Sequence, residues 1–370
     1  MPRALVLGGT GLVGRATALR LLGSGWQVDV VGRDSARVPP ELTSAGARFI
    51  AADRADQGQL QAALGAGADL LVDCLCFTAA DARSLLPLAA NSVSTVVISS
   101  RAVYVDAEGN HVNSDVPPHF ATPITEAQPP LPPTTDIDYR SREGYGANKV
   151  AAEQVVLESG LPVSVVRASQ IHGAGASPAR EWAVVKRVLD GRTALLLARR
   201  GVGGVHTTAA ANLAALIETV AHRPGTRVLN SADPDAPSAL EICRTIAGHL
   251  GQEWEEVLLD DTAPAGLGRT PWDSPHPIVL DTSAATALGY RPAGTYAATI
   301  APALDWLVDA ARDGRPPADA DYFAEYFDYA AEDAYLAKRV GRLGRLRGGA
   351  GRLTGGSATG PRRGRPPCRP

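Results

Sequence analysis

The sequence predicts an α/β fold, a doubly wound parallel sheet with a smaller C-terminal lobe. Three observations carry this expectation. Short, branched apolar runs alternate with helix-length segments through the first half of the chain, the first run ends in a glycine-rich turn, and the regularity fades beyond Ser177. Such alternation implies a sheet covered by helices on both faces.

Residues 3 to 7 form a buried strand that stops at Gly8-Gly9, and Leu12 to Leu22 is amphipathic, so the N-terminus reads as strand, tight turn and helix. Further strands are expected at 28–31, 48–51, 70–73, 96–99 and 163–166, with helices such as 57–64 and 81–89 between them. Residues 105–140 are proline-rich and aperiodic, which predicts a long loop, and long loops inside compact domains often serve function. Helices are then expected at 179–190, 208–221, 238–250 and 296–312, around short strands near 194–197 and 227–230. The resulting division is a nucleotide-binding type of domain over residues 1–176 with returning segments near 204–232, a second lobe mainly over 177–315, a terminal helix at 316–337 and a basic tail at 338–370. Gly, Arg and Pro dominate the end of that tail, which cannot bury a core and is expected to be disordered.

With 370 residues, 45% hydrophobic and 20% charged, the chain has ordinary globular composition and can bury a large core. Its four cysteines are scattered without a Cys/His cluster that would make a zinc site, so a reducing, cytoplasmic compartment is expected and no metal. No signal-like apolar segment and no stretch near the length of a membrane span occurs, which predicts a soluble protein. The net charge of −3 conceals an asymmetry: residues 338–370 hold ten Lys/Arg and no acid, leaving residues 1–337 at −13. A body that acidic argues against nucleic-acid binding except through the tail.

The turn Gly8-x-x-Gly11-x-x-Gly14, with Thr10, Leu12 and Val13 between its glycines, sets backbone N–H groups and a helix N-terminus where a pyrophosphate can be received. The turn is expected to be the phosphate-binding turn of a Rossmann dinucleotide domain, the alternative being a tight strand–helix turn that holds no ligand. After the second strand, where an NAD-binding chain usually places an acid, stands Arg33 in Gly32-Arg33-Asp34. An arginine there can pair with a ribose phosphate, which favours NADP over NAD. Asp53, just past the third strand, is a candidate partner for the adenine amine and equally a candidate helix N-cap. Tyr145 and Lys149 lie four residues apart and hence on one helix face. The chain holds only three lysines and nine tyrosines, so this pairing is not expected by chance. An ammonium about 5 Å from a phenolate, at an effective dielectric near 20, stabilises it by on the order of 3 kcal/mol. The pair therefore reads as a proton-transfer device beside a nicotinamide cofactor.

Ser99-Ser100-Arg101-Ala102-Val103-Tyr104, the Pro123–Glu126 segment Pro-Ile-Thr-Glu, and Tyr145-Gly146-Ala147-Asn148-Lys149 occur in one order. In this the chain resembles the extended short-chain dehydrogenases/reductases, the group that includes the NAD-dependent epimerase/dehydratase family, over roughly residues 3 to 312. The resemblance implies that Ser100, Tyr145 and Lys149 are catalytic and that Lys149 also meets the cofactor. It implies hydride transfer at a secondary alcohol or ketone, of a nucleotide sugar or similar small molecule, by an oxidoreductase or epimerase with Tyr145 as general acid/base. Dehydratases of the family carry an Asp-Glu pair after the catalytic hydroxyl, and Arg101-Ala102 stands there instead, so dehydration is disfavoured. His172 replaces the family's tyrosine in Arg167 to Gly173, and Val205-His206-Thr207-Thr208 lacks the family's aspartate. Arg101, His172 and His206 are thus candidate substrate contacts, with a packing role for either histidine an equal reading. Asp281 to Tyr290 resembles the family's C-terminal lobe. A homodimer is implied by the resemblance alone. A second reading is an NADP(H)-binding regulator whose basic tail contacts RNA or a protein partner.

Overall fold

A computed structural model describes residues 1–317 and 319–350. The chain divides into two units, residues 1–326 and 327–370.

The first unit begins β1 (Arg3–Leu7), α1 (Leu12–Gly23), β2 (Gln27–Gly32), α2 (Pro40–Ser44), β3 (Arg48–Ala51), α3 (Gln57–Leu64), β4 (Ala68–Asp73), α4 (Ala79–Ala89) and β5 (Ser92–Ser100). It continues with α5 (Gly144–Leu157), β6 (Val163–Ala168), β7 (Gln170–His172), α6 (Trp182–Leu189), β8 (Ala194–Leu197), β9 (Thr207–Ala209), α7 (Ala210–Ala221) and β10 (Arg227–Ser231). The remainder holds α8 (Ala239–His249), β11 (Glu255–Leu258), α9 (Ser283–Ala287), α10 (Tyr296–Thr299), α11 (Ala301–Arg312) and α12 (Ala320–Phe323). In the second unit α13 runs Tyr329–Ala350, across the expected boundary between terminal helix and tail at 337/338. Residues 351–370 of the expected tail lie outside the described residues.

Seven strands form one parallel sheet in the order β10-β6-β5-β4-β1-β2-β3. Successive side chains of a strand point to opposite faces, and β1 illustrates the result. Ala4 and Val6 join Ala18 and Leu21 of α1 and Leu213, Leu216 and Val220 of α7 in one buried layer. Leu5 and Leu7 join Leu60 and Leu64 of α3, Leu85 and Leu88 of α4 and Val156 of α5 in the other. Strand order reverses between β1 and β4, and in open α/β sheets a ligand crevice lies beyond the C-terminal strand ends at such a switch.

Two small parallel pairs, β7 with β9 and β8 with β11, lie outside the main sheet. Both depend on pairings distant in sequence. The long loop after β5 is fastened by Tyr104 bridging Pro130 and Ile124 bridging Leu280, and its Phe120 and Ile124 pack with Val205, Ile278 and Leu280. The single helix expected at 296–312 is two helices, α10 and α11. Pro302 has no N–H for the carbonyl four residues back and its ring crowds that carbonyl, so it occupies the first turn of a new helix instead.

Candidate active site

The glycine turn is shaped by contacts that only hydrogen atoms permit. Gly8 adopts φ +77°, and the backbone N–H groups of Gly8 and Gly9 both donate to Val31 O, at 3.1 and 3.3 Å, which ties the turn to β2. A Cβ on Gly14 would lie 2.3 Å from Gly8 O and 2.6 Å from Gly9 Cα. α1 then starts from Gly11, which offers no side-chain cap, and its first turn holds no acid. The leading N–H groups of α1 are therefore left for an anion, with the helix dipole in its favour. The residues present fit a dinucleotide's pyrophosphate.

Beyond the strand ends lies a cleft of about 790 Å³, lined by Gly8, Gly11, Leu12, Val13 and Gly14 and by Ser100, Tyr145 and Lys149. Three separated sequence motifs thus meet in one space. Ser100 ends β5 and its Oγ accepts from Ala102 N at 3.2 Å, so the hydroxyl proton is not used by the cap. Lys149 is buried in α5, donating to Cys76 O at 2.8 Å and Ile98 O at 2.9 Å, with its ammonium 4.3 Å from the centre of the Phe77 ring. Tyr145, one turn earlier, is half-buried, and its hydroxyl has no hydrogen-bond partner among the described residues.

α5 is anchored by a second buried device. Glu153 accepts from Ser99 Oγ at 2.5 Å and pairs with Arg167 Nη2 at 2.6 Å, and that guanidinium also lies 4.8 Å from the centre of the Tyr104 ring. Burial disfavours the Arg167 charge most, yet Glu153 outweighs it and holds the guanidinium protonated. Cys74 also lines the cleft, but burial first and the Asp73 charge second push its thiol up to about 12, so it is a poor nucleophile.

The other sequence candidates are distributed differently. Thr10 is half-buried in the turn without lining the cleft, while Arg101 lines it beside Ser100. Arg33 is exposed just past β2 and has no ion-pair or hydrogen-bond partner among the described residues. Asp53 is exposed, with Oδ1 accepting from Ala55 N at 2.9 Å; the N-cap of α3 is Asp56, which accepts from Gln59 N at 3.0 Å. His172 and His206 do not line the cleft. His206 Nε2 donates to Asp233 O at 2.8 Å and its Nδ1 accepts from Leu280 N at 3.2 Å, a neutral tautomer in keeping with burial that lowers its proton affinity. His172 packs against Tyr296 with ring centres 4.9 Å apart, and its Nε2 donates to Asp233 at 2.9 Å.

Asp233 is the residue that sequence reasoning missed. Besides His172, its buried carboxylate accepts from Thr207 Oγ1 at 2.7 Å, Ala209 N at 2.6 Å and Asn212 Nδ2 at 2.7 Å, which fastens β7 and β9 to α7 behind the cleft wall at Gln170 and Ile171. Burial, the largest influence, opposes the charge, and these donors outweigh it and hold the carboxyl below the usual range. Asp233→Asn turns one acceptor into a donor facing donors, and is expected to cost about 2–4 kcal/mol in urea unfolding at neutral pH. A carboxyl with a lowered folded pKa stabilises fully above its unfolded value, near 3.9, and this contribution disappears as pH falls through the folded value. The gap between wild type and variant is therefore expected to close in acid.

Comparison with known proteins agrees with the geometry. The model of the NAD dependent epimerase/dehydratase family matches residues 4–224, more than half of the chain. The chain belongs to this family. As a family member it is an enzyme of the epimerase/dehydratase type. UDP-glucose-4-epimerase from Stenotrophomonas maltophila, solved with bound NAD and formylated UDP-arabinopyranose, superposes with a TM-score of 0.64 at 16% identity, covering 85% of this chain and 100% of that one. UDP-N-acetylglucosamine 4-epimerase from Bacillus cereus gives 0.62 at 18% identity, covering 84% and 100%. dTDP-glucose 4,6-dehydratase from Bacillus anthracis str. Ames in complex with NAD gives 0.61 at 16% identity, covering 84% and 98%. At these identities the likeness is one of fold. No curated protein matches the chain. In this epimerase/dehydratase-family member no helix among the described residues is long and apolar enough to cross a membrane.

Proposed function

We propose that this protein is an NADP-preferring oxidoreductase or epimerase that moves a hydride at a secondary alcohol or ketone, with Tyr145 as the proton donor and acceptor. The meeting of Ser100, Tyr145 and Lys149 with the glycine turn in one cleft supports this reading above all. The dinucleotide, when bound, supplies or takes the hydride. Gly8, Gly11 and Gly14 give its phosphates close approach to backbone N–H groups at the start of α1. Ser100 donates its free hydroxyl proton to the substrate oxygen and stabilises charge that develops there. Tyr145 gives a proton to that oxygen or removes one, its hydroxyl being uncommitted to any described residue. Two of the three Lys149 protons are held by Cys76 O and Ile98 O, which leaves the third for the cleft and fixes the ammonium as the local positive charge. Arg101 and Ala102 follow Ser100 where an elimination would need an acid and a base, which favours redox or epimerisation over dehydration.

The test is direct. Purified protein mixed with NADPH and a panel of ketones and nucleotide sugars is expected to consume cofactor or invert a carbinol centre; tight cofactor binding with no turnover on any of them would count against it.

The preference for NADP rests on Arg33, a free guanidinium just past β2. Arg33→Ala is expected to weaken NADPH by roughly tenfold, the scale of one charge-assisted contact, and NADH by much less. Titration of cofactor fluorescence measures both, and equal losses would mean that Arg33 does not meet a ribose phosphate.

A further inference from the structure

Arg101 opens the short turn after β5 beside Ser100, and Arg180 precedes α6; both line the cleft that holds Tyr145 and Lys149. Neither guanidinium has a hydrogen bond or an ion pair among the described residues. Arg101 Nη1 and Arg180 Nε are buried from solvent with no partner, and the Arg180 guanidinium lies 5.9 Å from the centre of the Tyr322 ring. The contrast with other arginines is informative. Arg54 and Arg167 are largely buried, and each is paired with a carboxylate at 2.6 Å.

A buried guanidinium left unpaired costs several kcal/mol, and two that repel one another cost more. Arg101 registers this: burial first and the Arg180 charge second lower it to about 9, and no carboxylate is among the groups acting on it. A bound oxyanion would satisfy both forks at once, since each guanidinium matches a carboxylate or phosphate in a bidentate manner. Position narrows the ligand further. Arg101 is the immediate neighbour of Ser100, so an anion it holds lies close to the oxygen that Ser100 would bind, whereas a dinucleotide's pyrophosphate has the N–H groups at the start of α1 to receive it.

We propose that Arg101 and Arg180 form a substrate-anion subsite, and that the substrate carries a carboxylate or a phosphate near its reacting carbon. This rests on the reading of the cleft as a substrate site. Gln170 adds a polar partner in the same cleft, its Oε1 buried without a donor while Nε2 donates to Pro271 O at 3.2 Å, which suits a substrate hydroxyl.

Calorimetric titration of the NADPH-saturated protein with malonate, inorganic phosphate and UDP tests the subsite without any need for turnover. Malonate or phosphate is expected to bind, and Arg101→Gln and Arg180→Gln are each expected to weaken it by about 10- to 100-fold while NADPH affinity stays within twofold, which also certifies the fold. The better of the two anions distinguishes a carboxylate from a phosphate substrate. The proposal is overturned if neither small anion binds the wild-type complex, if both bind the variants as well as wild type, or if only UDP depends on the two arginines, since they would then read a nucleotide diphosphate. Loss of NADPH affinity in step with anion affinity would assign the pair to the cofactor and overturn it too. Failure of wild type to bind NADPH or NADH at all is a separate outcome, which sinks the enzymatic reading and the subsite with it.

Discussion

Tyr145→Phe is expected to lower kcat by about 10²–10⁴-fold, the range spanned by a positioned general acid or base. The change deletes one hydroxyl that is bonded to no described residue and leaves the ring in place, so folding has little to lose. It also leaves every phosphate contact of the glycine turn untouched. NADPH affinity is therefore expected to stay within about twofold, because no charge-assisted contact is removed. Steady-state kinetics and cofactor titration on the same preparation separate these effects. Near-normal turnover would refute the assigned role, and parallel loss of turnover and cofactor affinity would move Tyr145 from proton transfer to binding.

Gly14→Ala carries the second large effect, and here binding should fail first. The new methyl would press on Gly8 O at 2.3 Å and Gly9 Cα at 2.6 Å, both backbone, so neither can swing aside as a side chain could. Forcing α1 away from the turn costs on the order of 1–3 kcal/mol. Because that shift displaces the N–H groups that would face the pyrophosphate, cofactor affinity is expected to fall by roughly 10- to 100-fold, the same free energy expressed as binding. Gly23, in the last turn of the same helix, has nothing within 4 Å of its own Cβ position. Gly23→Ala is the matched control and is expected to leave affinity and unfolding midpoint close to wild type. If the two substitutions behave alike, the turn is not a phosphate cradle.

How far the chain could be read in advance follows from the range over which its instructions act. The strands β1 and β8 fall where apolar runs predict them, because a buried parallel strand is written in consecutive residues, and the half-exposed edge strand β3 does so as well. β5 starts four residues before its predicted edge: Ser92 to Thr95 is polar enough to look like loop, yet Thr95 pairs with Val163 in the register of its neighbour. β7 and β9 are three residues each and exist because Gln170, Ile171 and His172 meet Thr207, Thr208 and Ala209 across a long stretch of chain. No local pattern records such a meeting.

The cleft divides in the same manner. Gly14, Ser100, Tyr145 and Lys149 belong to motifs with internal spacing and could be picked out residue by residue. Arg180 belongs to none, and only the fold brings it beside Arg101. Asp233 was invisible for a related reason, its four donors coming from three segments, the nearest 21 residues away in Asn212. For the two histidines the sequence left ligand contact and packing as equal readings; neither lines the cleft, His172 Nε2 bonds Asp233, and His206 bonds Asp233 O and Leu280 N.

The Lys149 ammonium joins carbonyls at the ends of two neighbouring strands, Cys76 after β4 and Ile98 in β5, while Glu153 on the same helix grips Ser99 and Arg167. The helix bearing Tyr145 is in effect riveted to the sheet at two places one turn apart, so the floor of the reaction chamber is stiff. The cleft is also lined by Val112, Asn113 and residues between Gly175 and Arg180, none of which takes part in these contacts. If Tyr145 moves the proton as proposed, substitutions among those other lining residues are expected to change which molecules fit while sparing the anchored helix.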